Sequence, residues 1–202
     1  MAQTSTTLSG SKTHLTDVTG SDISIISSSG VSKITSVSTA LNNFAVRDLI
    51  TVSGTQNNNK TFTVKTVTDA NELIVEEVVS ANDNKDDSTT FTLDHTGFVT
   101  DKVKGDGYYS QPDGVHTVAY QVVNRGDSTD DFIGTIKMQG SLATTPTEND
   151  WFDIAGTTYT SDQSTTIATF NFTGNFVWVR AKCETTNASS NGALVTSILL
   201  NN

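Results

Sequence analysis

Covalent locks and common catalytic groups are scarce in this sequence. Cys183 is the single cysteine in 202 residues, so no disulfide can form within the chain. That absence fits folding in a reducing cytosol. There are three histidines, His14, His95 and His116, far apart and without a second His or Cys at ligand spacing. They read as structural. Only two prolines occur, which excludes a Pro-rich linker protein. No apolar run approaches the roughly 18 residues of a membrane-spanning helix, and the N-terminal Met-Ala-Gln-Thr-Ser-Thr-Thr lacks the basic and apolar regions of a signal peptide. No membrane insertion is therefore expected. The motifs G-x-S-x-G, H-E-x-x-H, G-x-x-x-x-G-K and G-x-G-x-x-G are missing, and nothing in the sequence calls for a cofactor.

Charge is also thin. Charged residues make up 17% and hydrophobic residues 35%, both below ordinary globular usage. The formal net charge is −10. An acidic chain does not hold a polyanion, so nucleic acid is not an expected partner. Thr, Ser, Asn and Gly fill the gap. Thr suits a pleated strand, and the others suit turns.

Period-2 alternation runs through most of the chain. Ile23 and Ile25, then Val31, Ile34 and Val37, mark short strands around the turn Ser27–Gly30. Ile50 and Val52 alternate with Thr51 and Ser53, and Phe62, Val64 and Val67 supply the hairpin partner. Leu73–Val75, running on to Val79, forms a third strand, and Phe91, Leu93 and Phe98 another. Beyond about residue 100 the faces are Val118/Tyr120/Val122, Phe132/Ile136/Met138, Ala168/Phe170/Phe172 and Val177/Val179/Ala181/Cys183. Trp151–Ile154 and the Gly107–Tyr109 stretch count as short strands, and Leu194, Ile198 and Leu200 close the chain. Short strands at this spacing predict an all-β chain. A flexible N-terminal arm is expected over 1–12. A small β barrel or sandwich-like domain is expected over 13–98, and an antiparallel, jelly-roll-like β-sandwich over 99–202.

Each chemical candidate has a plainer reading. Cys183 lies in an apolar strand phase and packs as a small hydrophobe. Asp150 and Asp153 flank Trp151 and Phe152, but carboxylates three apart on a strand face opposite ways. The acidic runs Asp83–Asp87 and Asp127–Asp131 miss the calcium-loop pattern and read as solvated loop tips. The triplets at Asn59, Asn171 and Asn187 match the glycosylation pattern by chance in so Thr- and Ser-rich a chain. Tyr108, Tyr109, Trp151 and Trp178 form the aromatic pool, with Tyr108, Tyr109 and Trp151 the candidate subunit interface or glycan platform. No catalytic or metal residue is assigned, and the chain is expected not to be an enzyme.

Two stretches carry a resemblance. Asp48–Thr55, Asn59–Val64 and Leu73–Glu77 resemble a D-x-I-x-V-S-G … N-x-G-T-F-T-V … I-x-V hairpin of small β domains in phage structural proteins, with Lys60 in place of the usual Gly. Residues 105–202 carry Gly107-Tyr108-Tyr109, Asp113–Val118, Gly134–Ile136, Leu142–Pro146, Asp150–Phe152 and Asn171–Ala181. This part resembles β-sandwich virion proteins of marine T4-like tailed phages, cyanophages especially. The loop Asn124–Asp131 is longer here. The resemblance implies an accessory structural protein, such as a capsid decoration, head fibre, or neck or tail appendage. It implies synthesis in the host cytoplasm and a final place in the virion. The expected partners are other virion proteins and copies of the chain itself, a trimer favoured. The alternative it leaves is a glycan-binding adhesin on the particle surface.

Overall fold

The computed structural model describes residues 5–85, 88–110, 114–124, 131–185 and 193–201. In chain order the first strands are β1 (Ser5–Ser9), β2 (Lys12–Thr13), β3 (Val18–Gly20), β4 (Ile23–Ser28), β5 (Val31–Ser36), β6 (Asp48–Ser53), β7 (Thr61–Asp69), β8 (Glu72–Val75) and β9 (Phe91–Val99). Then come β10 (Val103–Lys104), β11 (Val115–Val122), β12 (Gly134–Ser141), β13 (Phe152–Asp153), β14 (Tyr159–Thr160), β15 (Ile167–Thr173), β16 (Trp178–Thr185) and β17 (Ala193–Asn201). Two 3-10 turns, Asp106–Tyr109 and Glu148–Asp150, are the helical elements among the described residues. The all-β expectation holds. The chain divides into two compact units, Leu15–Phe98 and Met1–His14 with Val99–Asn202.

In the smaller unit the strands pair antiparallel in the order β3, β9, β6, β7, β8, β5, β4. The first and last of these are consecutive in the chain, with Ser21 and Asp22 between them, so the sheet curls back on itself like a small barrel. The Asp22 carboxylate accepts the Ser38 and Thr39 amides and holds that corner. The core gathers Ile23, Ile25, Ile34, Leu41, Ile50, Phe62 and Leu73, all with no exposed surface. Gly54 of the resembling hairpin has φ +83°, and a Cβ there would lie 2.5 Å from the Thr90 carbonyl, so the motif needs glycine at this turn.

Two details differ from expectation. β8 ends at Val75 and does not reach Val79; Val78 is 76% exposed while Val79 is buried. Asp83 is not a solvated loop tip. It bridges to Ile25, is buried, and accepts hydrogen bonds from Asn57 and Asn58. Asp86, Asp87, Asp127–Asp130 and Asn187 lie outside the described residues.

The larger unit has two antiparallel sheets. One runs β1–β17–β11–β15, with β2 beside β17. In the other, β16 lies between β10 and β12, and β12 also pairs with β13 and β14. The inner faces supply Val118, Tyr120, Ile198 and Leu200 from the first sheet, and Ile136, Met138, Val179, Ala181 and Cys183 from the second. The Phe176 ring fits where Gly140 and Gly174 leave room; a Cβ at Gly140 would stand 2.7 Å from it. Buried Tyr120 donates its hydroxyl to the Thr157 carbonyl at 2.9 Å, and the buried phenol is pushed well above its ordinary pKa by desolvation.

The N-terminal arm is corrected. Ser5–Ser9 and Lys12–Thr13 are strands on β17, with Thr7 opposite Leu199. Backbone pairing holds them, which the nearly apolar-free sequence there does not reveal. Gly107–Tyr109 is likewise a 3-10 turn and not a strand.

Candidate functional site

The most elaborate side-chain arrangement covers the outer face of β12 and β16. Strand alternation turns Val179, Ala181 and Cys183 inward and Trp178, Arg180, Lys182 and Glu184 outward. Register then sets Arg180 opposite Gln139 and Gln139 opposite Asp153. Lys137 falls opposite Lys182, a like-charge pair that alone would destabilise the sheet. Carboxylates offset it. Lys137 Nζ lies 2.8 Å from Asp153 and 3.2 Å from Glu184, and Lys182 lies 2.8 Å from Glu184. Burial works against charge on Lys137 and Glu184, yet these contacts keep the ammonium above and the carboxyl below their ordinary ranges.

Arg180 anchors the next row. Its two terminal nitrogens donate to the Glu148 carboxylate at 2.9 and 2.7 Å, and Nε donates to Gln139 at 3.0 Å. This is a bidentate pair with a nearly buried guanidinium. The guanidinium also sits 4.2 Å from the Trp151 ring centre. Glu148 is presented by the turn Glu148–Asp150, whose start is capped reciprocally by Thr147 and Asp150.

Farther along the same face, Trp178 meets Tyr108 edge-on at 5.1 Å, and Tyr108 meets Tyr109 edge-on at 5.2 Å. Lys104 lies 4.0 Å from the Tyr108 ring and 5.5 Å from Tyr109; Lys102 lies 4.8 Å from Trp178. Tyr108 and Tyr109 are 42% and 57% exposed. The indole of Trp178 donates to the Thr144 carbonyl at 3.0 Å. Of the three aromatics singled out from sequence, the two tyrosines come together, and their third neighbour is Trp178. Trp151 belongs with Arg180, which covers one face of its ring.

The remaining candidates have structural partners. Asp150 takes the Thr147 amide and hydroxyl, which lower its pKa, and Asp153 takes Lys137 and Gln139. Cys183 is buried, and burial pushes its thiol far above the ordinary value. The three histidines are buried. His95 lies 3.8 Å from Asp48 and its Nδ1 accepts the Leu15 amide; His116 lies 3.4 Å from Asp106 and stacks on Phe172. These two histidine–carboxylate pairs join residues 47 and 10 positions apart, which inspection of ligand spacing misses. Among the described residues no group of three or more His, Cys, Asp or Glu is placed to hold a metal ion.

The opposite outer face of this unit carries no such lattice. β1, β11, β15 and β17 contain no Asp, Glu, Lys or Arg. Their two ionisable side chains, His116 and Tyr120, are buried and point inward. The outward rows are Ser, Thr, Asn and Gln with Ala119 and Leu199, and Val115 and Ile167 are exposed. Lys12 on the short β2 lies at the margin.

Comparison with protein-family models, curated proteins and solved structures finds no match for this chain.

Proposed function

We propose that this chain is an accessory structural protein of a tailed-phage virion, a capsid decoration, head fibre, or neck or tail appendage that binds other virion proteins and copies of itself. The observation that carries the proposal is the uncharged outer face of β1–β17–β11–β15 on a chain of net charge −10. Charge keeps such a chain soluble and apart from its copies. A lasting contact is made at least cost where no ionised group must be desolvated. A broad sheet face of Thr, Ser, Asn and small apolar side chains meets that need. The resemblance of the hairpin and of residues 105–202 to phage structural proteins supplies the setting. Mass spectrometry of purified particles tests the proposal: the chain is expected at a fixed copy number per particle. Recovery only from the infected-cell cytosol would overturn it.

A second reading rests on Tyr108 and Tyr109, whose exposed rings beside Lys104 offer a stacking surface to a sugar. On this reading the chain is a glycan-binding adhesin. A glycan array with the intact chain and with Tyr108→Ala/Tyr109→Ala tests it: loss of a specific signal in the variant supports it, and no binding at millimolar sugar removes it.

A further inference from the structure

β15 terminates the uncharged sheet. Ile167–Thr173 pairs with β11 in unbroken register, Gln121 opposite Ile167 through Val115 opposite Thr173. Among the described residues no strand pairs with its other side. Natural proteins blunt such edges with lysine, proline, a bulge or a covering element. The far edge of the same sheet shows two of these devices: a register shift in β1 between Thr7 and Ser9, and Lys12 on β2. β15, Ile-Ala-Thr-Phe-Asn-Phe-Thr, has no lysine, proline, charge or register shift.

We propose that β15 is the strand through which two copies of this chain join, antiparallel, β15 against β15. The strand is self-complementary about Phe170. With Phe170 on the twofold axis, Thr169 faces Asn171 of the second copy, Ala168 faces Phe172, and Ile167 faces Thr173. Each pair shares one side of the sheet, and Ala168 with Phe172 matches a small residue to a large one. Phe170 is only half-buried, 5.6 Å from Tyr120 at the open edge of the core side, and a second Phe170 completes its enclosure. Charge selects the same partner. No Asp, Glu, Lys or Arg occurs from Gln163 to Val179, so two copies of an acidic chain meet here without like charges. The contact is isologous and builds a dimer, not the trimer that particle symmetry favours. The inference rests on reading the sheet as an assembly surface. It is tested on purified chain, while the virion role is tested on particles, so either can fail alone.

Sedimentation equilibrium of the full chain is expected to show a concentration-dependent dimer. Thr169→Glu/Asn171→Glu sets two glutamate pairs across the twofold axis and is expected to weaken dimerisation by roughly tenfold or more. Both side chains are exposed, with Asn171 accepting the Thr117 hydroxyl, so the circular-dichroism spectrum should not change, and the thermal midpoint should stay close to wild type when the two are compared at a concentration where both are monomeric. Mixing this variant with Thr169→Lys/Asn171→Lys should restore the dimer. A wild-type chain that stays monomeric, or a glutamate variant that dimerises as before, overturns the proposal. Hydrogen exchange on the unmodified chain gives an independent reading. Amides of Ile167–Thr173 should gain protection as concentration rises, and equal rates at low and high concentration overturn it.

Discussion

The two sheets of the larger unit are alike inside and opposite outside. Inward, each offers large apolar residues: Tyr120, Ile198 and Leu200 against Ile136, Met138 and Val179. Outward, β12–β16 is a lattice of ion pairs and ring–cation contacts, while β1–β17–β11–β15 has no ionised side chain. Inner faces fix the fold, because burial of apolar area is the main stabilising term. Outer faces are free to differ, and on the proposed function the difference separates a solvent face from an assembly face.

Equal inner faces predict equal penalties. Leu200→Ala and Met138→Ala should each lower stability by about 3 kcal/mol in urea unfolding, through lost burial and a cavity. A large inequality would show that one sheet carries the core. Arg180→Ala probes the outer lattice. It removes the Glu148 and Gln139 contacts of the guanidinium and uncovers Trp151, and should cost about 2 kcal/mol, below the range for fully buried pairs because Glu148 is partly exposed. No single substitution on the outer face of the uncharged sheet should cost as much.

The smaller unit widens the comparison with a carboxyl pair. The β3–β9 register, Val18 opposite Leu93, brings Asp17 across from Asp94. Burial and the Asp17 carboxyl push Asp94 up to about 6. A raised acid holds its proton more tightly folded than unfolded. Its favourable contribution is therefore full below the ordinary 3.8 and lost as pH rises through about 6. Asp94→Asn should raise stability at neutral pH by about 1 kcal/mol after solvent screening, and should flatten stability across that window in pH-dependent urea unfolding. The smallest effect is expected at Lys137→Ala, about 0.5 kcal/mol and shrinking with added salt, since its carboxylate partners are solvent-accessible.

Alternation made most strands legible. Val118/Tyr120/Val122 and Val179/Ala181/Cys183 are buried as their phase implies. β1 escaped because an edge strand held by backbone bonds needs no apolar stripe, and Ser5–Ser9 contains only Leu8. The 3-10 turn at Asp106–Tyr109 escaped because two adjacent tyrosines fit a strand equally well. The aromatic site was half legible. Tyr108 and Tyr109 stand out in the sequence, but the Arg180–Glu148 clamp and the meeting of Tyr108 with Trp178 join residues 32 and 70 apart, which no local pattern reports.

The proposal that this protein meets its own copies through the uncharged sheet, at its β15 edge, has a direct test in salt. Sedimentation velocity of the full chain from low salt to roughly 0.5 M should show association unchanged or tightened, because a charge-free contact has no ion pairs to screen while the repulsion of two chains at −10 is relieved. Dissociation as salt rises would place the contact on the charged face and contradict the account.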